Sequence, residues 1–126
     1  MNNVKFYVCK KCGNVTALFL DKGGKLNCCG ENMHELAPNT VEASQEKHIP
    51  VVEKNGNRIK VKVGSIAHPM TAEHLIDFLY VATEHGGQHA LLGSNDPPEA
   101  EFSLEGTKAK EVYAYCNLHG MWKIDV

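Results

Sequence analysis

The chain has no long apolar run and little net charge, and each absence excludes a class of protein. No stretch of its 126 residues approaches the roughly 18 consecutive apolar residues of a membrane-spanning helix. The formal net charge is only −2, which gives no reason to expect nucleic acid or a membrane as a partner. The first residues, MNNVKFY, contain no apolar run of signal-peptide length, so we expect a cytoplasmic protein.

Cysteine is scarce, and its five copies cannot all pair as disulfides. A cytoplasmic chain keeps its thiols reduced, and clustered cysteines then indicate metal ligands. Four cysteines lie within the first 29 residues, whereas the fifth lies near the C-terminus and shares the remainder of the chain with all seven histidines. An all-sulfur set and a nitrogen-rich set with one sulfur do different chemistry, so we predict one closed metal site and one open metal site.

The first set has the spacing of a metal knuckle. Cys9 and Cys12 form a C-x2-C pair, and Cys28 and Cys29 are adjacent. Four thiolates suit tetrahedral zinc or a single iron, and the spacing leaves both alternatives open. Successive side chains of an extended strand point to opposite faces, so the chain must bend sharply between Cys28 and Cys29 if both bind one metal. A disulfide framework is a further alternative, and it requires an oxidising compartment.

The remaining sequence divides the chain at residues 38–45, which resemble a linker. Residues 1–37 contain few large apolar residues, so we expect this domain to depend on its metal, with strands at 5–8 and 16–20 and a hairpin turn at 21–24. Residues 38–126 are β-rich. The turn Asn55-Gly56-Asn57 predicts a hairpin, and Ile59, Val61 and Val63 alternate with lysines as in a half-buried strand.

The segment Leu75–Ala82 is apolar enough for a short helix, but its flanking turns favour a strand. Further alternating segments end near Leu104, Cys116 and Val126. Several short strands at this spacing predict a small β-sandwich. The overall prediction is a mostly β protein with a metal knuckle over 1–37 followed by a β-sandwich over 38–126.

Each histidine of the nitrogen-rich set is weak evidence for a metal site by itself, because a lone histidine more often lies unliganded on the surface or in the core. Cys116 and His119 have the i, i+3 spacing that shares one metal across a turn. The candidates upstream are His48, His68 and His74. For His34, His85 and His89 we expect no metal-binding role.

Taken together, these segments resemble desulfoferrodoxin, the two-iron class of superoxide reductase. The resemblance runs along nearly the whole chain and is weakest over Thr83–Pro98 and Thr71–Glu73. The matching segments are Tyr7–Asn14, Cys28–Gly30, Glu46–Val51, His68–Met70, His74 and Cys116–Gly120 with Trp122.

The resemblance implies two irons and a reaction. It implies an FeS4 centre of the desulforedoxin type in domain 1–37, and a catalytic iron with four equatorial histidines and an axial cysteine in an immunoglobulin-like sandwich. It also implies superoxide as substrate, reduced to hydrogen peroxide without release of dioxygen, a rubredoxin-like electron donor and a homodimer. The implied FeS4 ligands are Cys9, Cys12, Cys28 and Cys29, and the implied ligands of the catalytic iron are His48, His68, His74, His119 and Cys116.

The resemblance further gives roles to two charged residues beside His48. Lys47 would lie by the vacant iron position and attract the anionic substrate, and Glu46 would occupy that position once the iron is oxidised. An exposed Glu-Lys pair that does little is the plain alternative. For the whole chain, the alternatives to superoxide reductase are an electron carrier or structural protein with zinc in the four-cysteine site, and a β-sandwich interaction domain with incidental histidines.

Overall fold

The computed structural model describes residues 4–126, and the chain divides into two compact units. The first unit ends at Ala37, and the second spans Pro38–Val126. Both units are built from antiparallel strands. One short helix is present in the described range. The predicted class, mostly β with a cysteine knuckle and a β-sandwich, is confirmed.

The first unit contains five short strands and very little core. A three-stranded sheet has the order β2-β1-β5, and β3 pairs with β4 alone. Phe6 and Cys9 are its buried residues among those described. The strands are β1 (Lys5–Val8), β2 (Val15–Leu18), β3 (Asn27–Cys28), β4 (Glu31–Asn32) and β5 (His34–Glu35).

The predicted hairpin turn at residues 21–24 is wrong. A turn is present there, because the Gly23 amide donates to Asp21 Oδ1 at 2.8 Å, but it joins no paired strands. β2 ends at Leu18 and pairs only with β1, through the turn that carries Cys9 and Cys12. The second hairpin of the unit is β3–β4 instead.

The second unit is a sandwich of two antiparallel sheets. One sheet has the order β10-β7-β6 and the other has the order β12-β11-β8-β9. The hairpin at Asn55–Asn57 and the strand predicted over Leu75–Ala82 are both confirmed, as β6–β7 and β8. The elements are α1 (Gln45–His48), β6 (Pro50–Asn55), β7 (Arg58–Val63), β8 (Ile76–Thr83), β9 (Gly86–Leu91), β10 (Glu99–Ser103), β11 (Ala109–Cys116) and β12 (Gly120–Asp125).

The core of the second unit lies between the facing sides of the two sheets. Alternate residues of β7 point inward, which buries Ile59, Val61 and Val63 completely, while the intervening lysines form cross-strand ion pairs. From the other sheet, β8 and β11 contribute Ile76, Leu79, Val81, Val112, Ala114 and Cys116. The sulfur ligand candidate Cys116 is thus part of the apolar core, at the end of a central strand.

Residues 38–45 do not form a free linker. The Asn39 side chain accepts from the Lys123 amide at 2.9 Å and donates to the Lys123 carbonyl at 3.1 Å. The Asn39 amide also donates to the Met121 carbonyl. This segment therefore pairs with the edge of β12 and leads directly into α1. Within residues 4–126, no helix has the length and apolar character needed to cross a membrane.

Candidate metal centres

Four thiols of the first unit converge at the ends of its two hairpins. The sulfur atoms of Cys9, Cys12, Cys28 and Cys29 all lie within 4.8 Å of one another. Cys12 Sγ lies 3.6 Å from Cys28 Sγ, which in turn lies 3.9 Å from Cys29 Sγ. A tetrahedron with metal–sulfur bonds of about 2.3 Å has edges of about 3.8 Å. The thiols are thus already spaced for one tetrahedral metal ion.

The adjacent cysteines are held by the two-residue turn between β3 and β4. Cys29 has φ 54° and Gly30 has φ 77°, and two positive φ values in sequence are typical of a type I′ hairpin turn. This is the sharp bend that the sequence required. A cysteine in the left-handed region is unusual, and it turns the Cys29 sulfur to the same side as Cys28.

The electrostatics of the four thiols favour a cation among them. Hydrogen bonds from the Cys12 and Lys11 amides lower the pKa of Cys9 to about 7, against the opposing effect of burial. Side-chain hydrogen bonds with Cys12, Cys28 and Cys9 raise the pKa of Cys29 to about 12, and repulsion from a Cys12 thiolate adds to the effect. A metal ion removes that repulsion and lets all four sulfurs ionise.

The nitrogen-rich set forms at one end of the sandwich, where α1, the loop between β7 and β8, and the turn between β11 and β12 meet. His48 is the last residue of α1, and His68 lies in the loop after β7. His74 precedes β8, Cys116 ends β11, and His119 lies in the turn before β12. One ligand atom each from His48, His68, His74 and Cys116 falls within a common 4.8 Å.

His119 lies beside this group of four, slightly further out. Its Nδ1 atom is 3.1 Å from His48 Nε2 and 3.8 Å from Cys116 Sγ. The structure thereby brings all five predicted ligands of the second centre together. No carboxylate of the described residues belongs to the set.

The four imidazole rings occupy the corners of an approximate square. Neighbouring ring centroids are 4.7 Å apart for His48–His68, 4.6 Å for His68–His74, 5.2 Å for His74–His119 and 4.9 Å for His119–His48. The diagonal between His48 and His74 is 6.5 Å, as expected for sides of this length. Neighbouring rings are close to perpendicular, with interplanar angles of 76° to 88°.

Backbone carbonyls fix which ring nitrogens face the centre. His48 Nδ1 lies 2.6 Å from the Ser44 carbonyl oxygen, and His68 Nδ1 lies 2.7 Å from the Pro69 carbonyl oxygen. A carbonyl can only accept, so each Nδ1 carries the proton and each Nε2 presents a lone pair. Hydrogen bonds of this kind fix the tautomer and the orientation of histidine ligands in metal sites.

The inward-facing nitrogens of His48, His68 and His74 do not satisfy one another. The Nε2 atoms of His48 and His68 are 3.2 Å apart, yet both are acceptors in these tautomers. His74 Nε2 is buried and, among the described residues, has no hydrogen-bond partner. Facing lone pairs and an orphaned nitrogen are unfavourable unless a cation lies between them. The residues therefore fit a metal ion with several imidazole ligands.

Burial favours the neutral, metal-binding form of the imidazoles of His48, His68 and His74. It lowers the pKa of His68 to about 4, against the hydrogen bond to Pro69. Burial is also the main cause of the lowered pKa of His48 and of His74. For Cys116, burial raises the pKa of the thiol, while the Leu118 and His119 amides lower it by hydrogen bonding. A metal ion would have to displace this proton as it binds.

Glu46 and Lys47 lie on α1, immediately before His48. After burial and His119, the positive charge of Lys47 is the next cause of the lowered pKa of His74. Lys47 is thus within electrostatic range of the histidine square. The Glu46 carboxylate accepts a hydrogen bond from Ser44 Oγ at 3.4 Å, and its backbone carbonyl accepts from the Ile66 amide at 2.9 Å.

Two residues support the ligands in ways that the sequence pattern did not specify. The Trp122 ring stacks on His48 with centroids 5.0 Å apart, and its Nε1 donates to the His119 carbonyl at 3.1 Å. The Asn117 side chain bonds to the backbone on both sides of His74. The sequence did indicate Trp122, because this residue belongs with Cys116–Gly120 among the segments that match the family. For Asn117 the only signal was its place inside that segment.

The three remaining histidines lie elsewhere. His34 is in β5 and pairs with Val8, His89 is in β9 and pairs with Tyr80, and His85 is exposed in the turn between β8 and β9. No further group of three or more candidate ligands occurs in the part of the chain that the structure describes.

Comparison with known proteins gives the family. The desulfoferrodoxin family model matches residues 40–125. The desulfoferrodoxin of Nitratidesulfovibrio vulgaris is 41% identical and is aligned over 98% of both chains. That of Clostridium acetobutylicum is also 41% identical, over 99% of this chain and 98% of its own. The crystal structure of the superoxide reductase from Treponema pallidum is 37% identical, with a TM-score of 0.84 over 98% of this chain and 100% of its own.

These features define a small non-haem metalloprotein with one all-sulfur centre and one nitrogen-rich centre. The chain belongs to the desulfoferrodoxin family, as its resemblance to that family implied. Its four-cysteine set and its His/Cys set fit the two iron centres of a desulfoferrodoxin.

Proposed function

We propose that this chain is a superoxide reductase whose reaction takes place at the histidine square. The reaction is O₂•⁻ + e⁻ + 2 H⁺ → H₂O₂, with protons from water and no release of dioxygen. The observation that carries the proposal is the square of four imidazoles, closed on the core side by Cys116. Five protein ligands would leave room on a bound metal ion for a small anion.

The residues of this centre have two roles, which are to bind the metal and to adjust its reactivity. A bound ferrous ion supplies the single electron that superoxide accepts, a role that redox-inactive zinc could not fill. His48, His68, His74 and His119 hold it as neutral ligands, in orientations to which the backbone carbonyls contribute. The Cys116 thiolate, buried in the core, would donate electron density to a bound iron, as cysteine does in haem enzymes.

Lys47 and Glu46 are proposed to act on the substrate side of the centre. The charge of Lys47 already acts on His74, so the same charge attracts an approaching superoxide anion. Glu46 is proposed to cover the free position after the metal is oxidised. The Ile66 amide and the Ser65 hydroxyl hold the Glu46 carbonyl, which fixes the backbone from which this side chain extends.

The closed four-cysteine site cannot bind substrate, so it either relays electrons or stabilises residues 1–37. We propose that residues 1–37 form the FeS4 domain and that residues 38–126 form the catalytic domain. We also propose that a rubredoxin-like protein donates the electron that restores the ferrous state. Assembly as a homodimer and a cytoplasmic location are proposed with it, because free thiol ligands persist in a reducing compartment.

Metal analysis combined with superoxide kinetics tests the function. We expect two irons per chain, thiolate-to-iron(III) absorption from both centres, and consumption of superoxide with peroxide formed and no dioxygen released. Cys116→Ser is the matched variant, because it removes the thiolate of the second centre and leaves the four-cysteine set intact. Zinc in both centres, or dioxygen evolved in proportion to peroxide, would refute the proposal.

A further inference from the structure

Two of the segments that carry ligands to the second centre come from distant parts of the sequence and meet at one side chain. His74 lies in the short loop that precedes β8, and Cys116 and His119 lie in the turn between β11 and β12. Asn117 directly follows Cys116 and reaches across to the loop of His74.

The contacts of Asn117 bracket His74. Asn117 Oδ1 accepts from the Leu75 amide at 3.0 Å, and Asn117 Nδ2 donates to the Glu73 carbonyl at 2.9 Å. The Asn117 amide also donates to the Leu75 carbonyl at 3.2 Å. One residue therefore holds the backbone immediately before and immediately after the ligand.

The backbone of His74 itself is held by Thr71. The His74 amide donates to Thr71 Oγ1 at 3.0 Å, and the His74 carbonyl accepts from the Thr71 amide at 2.9 Å. This turn fixes the local shape of the loop but does not tie it to the rest of the centre. The side-chain bonds of Asn117 tie the residues on both sides of His74 to the residue beside Cys116, and they add to the strand pairing of Cys116 with Ile76.

The His74 ring depends on this backbone for its position. Its Nε2 atom is buried without a hydrogen-bond partner among the described residues. The rings of His48 and His68, by contrast, are oriented by carbonyls that contact their Nδ1 atoms. A ring whose inward nitrogen has no protein partner takes its place chiefly from the backbone that carries it.

We infer that Asn117 is a positioning residue, which sets where His74 lies relative to Cys116 and so completes the fourth corner of the square. The inference rests on the proposed metal centre, since the role concerns a ligand of that centre. The side-chain amide of Asn117 suits this role because it can both donate and accept a hydrogen bond, and it does both here. An aspartate at this position could keep the bond to the Leu75 amide, but it would place an acceptor against the Glu73 carbonyl.

A merely structural role predicts a different result. Asn117 is exposed overall, so truncating it opens no cavity in the core and should leave global unfolding almost unchanged. The substitution should instead loosen the loop that carries His74 and weaken metal binding at the second centre. Substitution of residues that hydrogen-bond and orient metal ligands typically weakens metal binding by about 10-fold to 100-fold.

The test compares Asn117→Ala and Asn117→Asp with Asn57→Ala, the same truncation in the remote β6–β7 turn. Iron retention at the second centre against a chelator should fall about tenfold for Asn117→Ala and less for Asn117→Asp, and the Cys116-to-iron(III) absorption should shift. In iron-free protein, hydrogen exchange at the Leu75 amide should accelerate in Asn117→Ala. Asn57→Ala should match wild type in every measurement.

The outcomes separate this inference from the function it rests on. If wild type loads iron at the second centre and Asn117→Ala retains it equally, with unchanged absorption, the positioning role is wrong and the proposed function stands. If wild type binds no iron at the histidine square, the proposed function fails and the inference falls with it.

Discussion

Acidifying the iron-free protein probes His68, which is 3% exposed. Burial lowers the pKa of His68 to about 4 in the folded chain, whereas an unfolded histidine titrates near about 6.5. Between these values the unfolded chain binds a proton that the folded chain excludes. The free energy of unfolding is therefore fully retained above about pH 6.5 and decreases as the pH falls toward 4.

The size of this loss follows from the two pKa values. For one such group, the free energy of unfolding should fall by about 2 kcal/mol between about pH 7 and about pH 5. That is a large part of the roughly 5–15 kcal/mol that stabilises a typical domain. Burial also lowers the pKa of His48 and of His74, so their contributions have the same sign. His68→Gln should remove the contribution of His68 and flatten the pH dependence.

Urea unfolding followed by tryptophan fluorescence measures this effect in the relevant unit. Trp122 is the only tryptophan, it is 2% exposed and it lies in the second unit, so unfolding of residues 1–37 does not obscure the signal. His85→Gln, at an exposed position, should keep the full pH dependence. Equal stability of the wild type at about pH 5 and about pH 7, or an unchanged slope in His68→Gln, would contradict the reasoning.

Three further predictions concern single side chains of the two centres. Cys12→Ser should remove iron from the first centre and make residues 1–37 protease-sensitive, while iron content and absorption of the second centre stay as in wild type. Cys116→Ser should abolish the thiolate-to-iron(III) band of the second centre, whereas circular dichroism should show the β-sandwich intact. Lys47→Ala should slow the reaction with superoxide about fivefold at low salt, since one nearby charge is worth about 1 kcal/mol. The difference should shrink as added salt screens the charge, and stopped-flow kinetics across ionic strength would show whether it does.

Much of the fold and the four-cysteine set could be predicted from local patterns in the sequence. The alternation of Ile59, Val61 and Val63 with lysines specified β7, because a strand buried on one face needs that period. The cysteine spacing specified the four-cysteine set, because a C-x2-C pair followed by a second cysteine pair is itself typical of a metal site. The assignment of five scattered ligands to one centre came from the resemblance, because each histidine alone carries little information.

The features that could not be predicted depend on contacts between distant residues. Asn39 pairs with Lys123, and Asn117 pairs with backbone groups of Glu73 and Leu75. Backbone amides and carbonyls are present at every position, so no sequence pattern indicates which of them a side chain will reach. Helix α1 was missed because four residues are too few to show a helical period.

The two hairpin turns of the first unit present their cysteines differently to an incoming metal ion. Cys9, with a pKa lowered to about 7, offers a thiolate at neutral pH on the turn between β1 and β2. Cys28 and Cys29 have raised pKa values because of their neighbouring thiols, which favours their protonated forms until a cation binds nearby. We expect capture at the C-x2-C turn to come first and closure by the β3–β4 turn to follow. Proton release during reconstitution should therefore lag behind metal uptake.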